Sequence, residues 1–91
     1  MHPFVRTLTK ALAPYQLEAT FSPFLTEFWS EDCFISASLT SQAVFVNGEI
    51  YLDRTEGSYA KLVFGSHAPY GDSQSVIDYV VRQLQYLPER G

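Results

Sequence analysis

The order of apolar and polar positions divides the chain into a helix, a series of short alternating segments and a second helix. Near the start, Phe4, Leu8, Ala11 and Leu12 recur at spacings of four, three and one, which makes one apolar stripe of a helix predicted from Pro3 to about Ala13. Pro3 suits the first helical position, where an N–H has no intrahelical partner to lose. Pro14 disfavours helical geometry at Ala13 and ends the run. From Gln16 to Phe21 the pattern alternates, with Leu17, Ala19 and Phe21 on one side and Glu18 and Thr20 on the other, as in a half-buried strand. Cys33 to Thr40 alternates in the same way, placing Cys33, Ile35, Ala37 and Leu39 together.

The stretch between, Ser22 to Asp32, admits two readings. Ser22 can cap a short helix beginning at Pro23, with Phe24, Leu25 and Phe28 on one side. Alternatively, Thr26 to Trp29 is a strand that turns at Ser30-Glu31-Asp32. The helix is preferred because Ser-Pro supplies a mechanism for starting one. Further on, Asn47-Gly48 lies between apolar runs, and this dipeptide tolerates the positive φ angles of a type I′ turn. The expected hairpin sets Phe45 opposite Ile50 and Ala43 opposite Leu52, leaving Val44, Val46 and Tyr51 on the other face. A second hairpin is predicted through Arg54-Thr55-Glu56-Gly57 into a strand from Tyr59 to Phe64. Gly65 to Asp72 reads as a loop. Asp72 or Ser73 then caps a helix to about Leu87, whose stripe is Val76, Ile77, Val80, Val81, Leu84 and Leu87. Asp78 and Arg82 lie four apart on its opposite face, spaced to pair weakly. The expected class is α+β: an antiparallel meander of about four to five strands with an N-terminal and a C-terminal helix packed on one face.

Length and composition narrow the function classes. Ninety-one residues suit one domain, 1–91. With 46% apolar and 18% charged residues, the chain as a whole does not have a disordered composition. Six basic side chains, dispersed over all elements, against ten acidic ones argue against nucleic-acid binding, which needs clustered Lys and Arg. No apolar run is long enough to span a membrane as a helix. Arg6 and Lys10 interrupt what would be the apolar stretch of a secretory leader. The single cysteine, Cys33, fits a reducing compartment, so a cytoplasmic protein is expected.

Candidate chemistry is sparse. Two histidines and one cysteine offer no close pair of the kind that structural zinc sites use, so neither a metal nor a cofactor is expected. Cys33 opens an apolar strand face and reads as a small buried hydrophobe. Ser66, His67, Tyr70 and Asp72 gather a hydroxyl, an imidazole, a phenol and a carboxylate beside a helix start, the one segment resembling a ligand site. Its spacing matches no phosphate loop or nucleophile elbow, and an ordinary connector explains it better. Glu27, Glu31 and Asp32 lie near aromatics, yet Glu31-Asp32 reads as a solvated turn and no catalytic residue is assigned. Phe21, Phe24, Phe28, Trp29 and Phe34 crowd into fourteen residues, as either a core plug or a docking patch. Core is preferred for the cluster, with Trp29 balanced between the two.

These exclusions leave a non-catalytic protein-interaction module that self-associates: an adaptor, a chaperone-like subunit or a small inhibitor of a larger partner. Its expected interface is Val44, Val46 and Tyr51 on the second sheet face, with Trp29, Tyr79 and Tyr86. Val44→Glu is then expected to turn a homodimer into a folded monomer. The alternative is a small ligand-binding domain or enzyme using Gly65 to Asp72.

Overall fold

The computed structural model describes residues 1–53 and 60–88. Helix α1 (Pro3–Leu12) leads into strands β1 (Glu18–Phe21), β2 (Leu25–Trp29), β3 (Cys33–Leu39), β4 (Ala43–Asp53) and β5 (Ala60–Pro69), and helix α2 (Ser73–Gln83) follows. The strands form one antiparallel sheet in the order β1-β2-β3-β4-β5. Both helices lie on the same face, so the α+β meander read from the sequence is the observed fold.

Helix α1 begins as its sequence requires. Pro3 occupies the first turn, and His2 Nδ1 accepts a hydrogen bond from the Phe4 amide at 3.1 Å, satisfying a donor that has no partner within the helix. Phe4, Val5, Leu8 and Leu12 are buried. A short 3-10 turn (Ala13–Tyr15) carries Pro14, and Gln16 with φ of 56° reverses the chain into β1. Helix α2 packs on β4 and β5 and touches α1. It buries Val76, Ile77 and Val80, and Leu84 follows in a 3-10 turn. The α-helix is therefore shorter than the stripe to Leu87 implies. Asp72 stands at its cap position without a side-chain capping bond. On its far side Asp78 accepts from the Gln74 amide at 3.0 Å.

Two sequence expectations are overturned. Ser22-Pro23 does not start a helix: the Ser22 amide and hydroxyl both donate to the Leu25 carbonyl, at 3.0 and 2.7 Å, closing the turn from β1 to β2. Asn47-Gly48 does not form a turn either. Both residues lie inside β4, paired with Ser36 and Ile35 of β3 on one side and with Gly65 and Phe64 of β5 on the other. The reason is packing. A Cβ on Gly48 would fall 2.2 Å from Cζ of Phe64, so the glycine gives the Phe64 ring its place. On the opposite face, a Cβ on Gly65 would meet Asn47 Oδ1 at 2.9 Å. The β3–β4 turn instead starts at Thr40, whose amide bonds the Ala43 carbonyl at 3.0 Å while its hydroxyl accepts from the Ala43 amide at 3.0 Å. The turn predicted at Arg54 to Gly57, and Tyr59, lie outside the described residues.

An unbroken β4 sets the inner face. Val44, Val46, Gly48 and Ile50 point towards the helices, beside Cys33, Ile35, Ala37 and Leu39 of β3 and Leu62, Phe64, Ser66 and Ala68 of β5. Val44 and Val46 are thus core residues at 0% and 1% exposure, not members of an open face. Ile50, read as the partner of Phe45, points the opposite way from it.

Candidate docking face

Among the described residues no helix lies on the outer face of the sheet, and its side chains are set by strand parity. The register runs in rows across the strands. One row is Glu18, Trp29, Phe34, Glu49 and Val63. The next is Thr20, Glu27, Ser36, Asn47 and Gly65, and a third is Leu25, Ser38, Phe45 and His67. Most of these places are polar, as on a solvated antiparallel face, and the middle row is wholly so apart from Gly65; the apolar residues stand in the first and third rows. Here Val63 is 63% exposed, Leu25 41% and Phe45 38%, while Trp29, Phe34 and Tyr51 are half-buried among their neighbours. Between Phe34 and Val63 the face dips into a hollow of about 330 Å³ over β4, lined also by Ser36, Asn47 and Glu49.

Charge on this face is divided. Glu18 and Glu27 lie on β1 and β2, whereas Lys61 lies on β5. Glu49 accepts from Lys61 Nζ at 3.0 Å and from the Tyr51 hydroxyl at 3.1 Å. These bonds, that from Lys61 foremost, hold its carboxyl below the usual carboxylate range. Phe45 stacks on the His67 ring with centroids 5.4 Å apart.

The residues read from the sequence as a ligand site do not converge. Gly65 to Pro69 is strand, not loop, so Ser66 faces inward and His67 outward. The Tyr70 hydroxyl donates to the Thr40 carbonyl, and its ring lies 4.9 Å from that of His2. Asp72 is exposed at the start of α2. Of the residues read as interface, Trp29 and Tyr51 stand on the outer face, Tyr79 meets Phe64 edge-on at 6.1 Å, and Tyr86 is exposed.

The aromatic cluster is split rather than pooled into the core. Phe28 is buried, Phe21 meets its ring edge-on at 6.2 Å, Phe24 is 73% exposed, and Trp29 and Phe34 stand on the outer face. Phe34 and Phe45 are not among the residues read as interface: a turn at Asn47-Gly48 sets Phe45 on the same face as Ile50 and so exchanges the faces of Ala43 to Val46, while Tyr51 beyond it keeps the outer face. The signal that locates them is the parity of Phe34, opposite to that of Cys33 and Ile35.

Elsewhere, Cys33 is fully buried with its Sγ 3.8 Å from Ser30 Oγ, and burial pushes its thiol pKa up. A separate hollow of about 340 Å³ opens between the start of α1 and the β1–β2 turn, with Val5, Thr26 and Leu39 in its lining. Among the described residues no group of three His, Cys, Asp or Glu side chains is placed to hold a metal ion, and no helix is long and apolar enough to cross a membrane. No protein-family model matches the chain, and no curated protein or solved structure shows significant similarity to it.

Proposed function

We propose that this chain is a non-catalytic protein-interaction module that docks through the helix-free face of its sheet. The observation that carries the reading is the partial or full exposure of Trp29, Phe34 and Val63 in the row that also holds Glu49, joined by Leu25, Phe45 and Tyr51, on a face over which no helix of the described residues lies. Aromatic side chains supply large contact area at low entropic cost and dominate interface hot spots. The apolar side chains form two groups, Trp29, Phe34 and Val63 on one side and Leu25 and Phe45 on the other, with the polar row Thr20, Glu27, Ser36 and Asn47 between them. Such a mixture of apolar and polar contacts is one that non-obligate protein interfaces share. Adaptor, chaperone-like subunit and small inhibitor are all roles such a face serves.

Val63 and Phe45 are the residues with which to test it, since both are exposed and outside the core. The double variant Phe45→Ser, Val63→Glu is expected to fold as the wild type does and to lose proteins that the wild type retains from its native host. Retention of the same proteins by both chains would contradict the reading.

A further inference from the structure

We infer that the occupant of the outer face is a second copy of this chain, related by a two-fold axis that runs along β3. This rests on the docking role just proposed for that face. Two sheets packed face to face keep their strands within about 30° of each other. A closed dimer of this kind has its axis either along the strands or across them. The charge distribution selects between these. An axis across the strands lays β1 and β2 on their own copies, so that Glu18 and Glu27 gather against acid, and β5 on its own copy, so that Lys61 gathers against Lys61. An axis along β3 lays β1 over β5, and Glu18 of one copy then comes beside Val63, one pleat repeat from Lys61.

The same operation matches shape. A two-fold has no translation along its axis, so each row of side chains meets its own row reversed. Phe34 meets Phe34 at the axis, Leu25 meets Phe45, and Trp29 meets position Glu49. Position 49 lies in the hollow of about 330 Å³ between Phe34 and Val63. The largest side chain on the face is thus delivered into the hollow over β4, twice. A cavity of about 150 Å³ holds a benzene ring, so an indole fits, and its N–H arrives beside the Glu49 carboxylate. That carboxylate brings Lys61 and Tyr51 as partners into the interface, which lowers the cost of covering it. Five strands about 4.8 Å apart and about 20 Å long present a footprint of roughly 480 Å². Side chains standing on it raise the accessible area towards the ~800 Å² per partner of a standard interface.

Trp29 is the one tryptophan of the chain, so its emission reports the contact directly. Sedimentation equilibrium of the wild type is expected to show a monomer–dimer equilibrium, with Trp29 emission shifting to the red on dilution along the same isotherm. Val63→Glu, checked for folding by circular dichroism, is expected to raise the dimer Kd at least tenfold. A short thiol cross-linker fixes the axis: Glu27→Cys mixed with Asn47→Cys is expected to give the mixed cross-linked dimer, and Glu27→Cys alone none. Cross-linking of Glu27→Cys to itself overturns the axis. A wild type that is monomeric at every concentration overturns the second copy, whereas loss of the docking role itself is read separately from the host proteins retained by the wild type and the double variant.

Discussion

The two faces of this sheet are built from the same strands yet answer to different constraints, and the pair of glycines in β4 and β5 shows how. On the inner face Gly48 lies opposite Phe64, whose ring is pinned between the glycine and Tyr79 of α2. On the outer face Gly65 lies opposite Asn47, whose exposed side chain reaches over it. The arrangements are reciprocal in register, but only the inner one is locked by a helix. Inner positions therefore tolerate neither charge nor added volume, while outer positions are free to vary with whatever they bind.

The largest effect separates Val44 from Val63. Val44→Glu places a carboxylate at 0% exposure between Leu39 and Ala68, where no counter-charge stands opposite. It should cost several kcal/mol, a large share of the ~5–15 kcal/mol that holds a domain together. Val63→Glu, on the other face, should cost ~0.5 kcal/mol or less when dilute protein is melted. A folded Val44→Glu protein would break the face assignment. The earlier expectation of a folded Val44→Glu monomer is thereby reversed.

How much of this was legible follows from the same residues. The alternation of Cys33, Ile35, Ala37 and Leu39 and the helical stripes of α1 and α2 gave the class and the burial of most of the core, because one buried face per element leaves a period in the sequence. The faces of β4 were not legible by the same means. Asn-Gly is a strong turn signal when the backbone must take positive φ, but a glycine is also needed where an opposing ring lies on the strand, and one sequence cannot distinguish the two uses. The turns from β1 to β2, β2 to β3 and β3 to β4 are started by Ser22, Ser30 and Thr40, each with its hydroxyl bonded locally. Read together, these three residues mark the hairpins, since hydroxyl side chains substitute for backbone partners in tight turns. Trp29 and Tyr51 are already read as interface from the sequence and stand on the outer face; that Phe45 joins them, and Val44 and Val46 do not, becomes visible only once the strand parity is fixed in three dimensions.

The next effect sharpens the contrast between the glycines. Gly48→Val drives a side chain into the Phe64 ring and should lower stability by about 1–3 kcal/mol in a denaturant titration. Gly65→Ala crowds the exposed Asn47 amide and lies at ordinary contact distance, 3.5 Å, from the Val46 carbonyl oxygen, and should change stability by less than ~1 kcal/mol. Equal losses from the two would mean that the outer pair is as constrained as the inner one.

The smallest effect belongs to Glu49, whose folded pKa is depressed by Lys61 and Tyr51. A depressed carboxyl contributes stability that is present in full above its unfolded value of about 4.3 and is lost as pH falls through the lower folded value. The stability difference between wild type and Glu49→Gln should therefore be small at neutral pH, favour the wild type, and vanish in acid. A difference that persists unchanged below that window would show that the Glu49 charge is not its source.

Whether Trp29, Phe34, Phe45 and Val63 share one open face depends on β4 running unbroken through Asn47-Gly48. Nuclear Overhauser contacts at Gly48 test this directly. The structure predicts that the Gly48 α-protons contact the Phe64 ring and lie across from both Ile35 and Phe64. Cross-strand contacts between Phe45 and Ile50 around a two-residue turn would contradict it, and would return Val44 and Val46 to the open face.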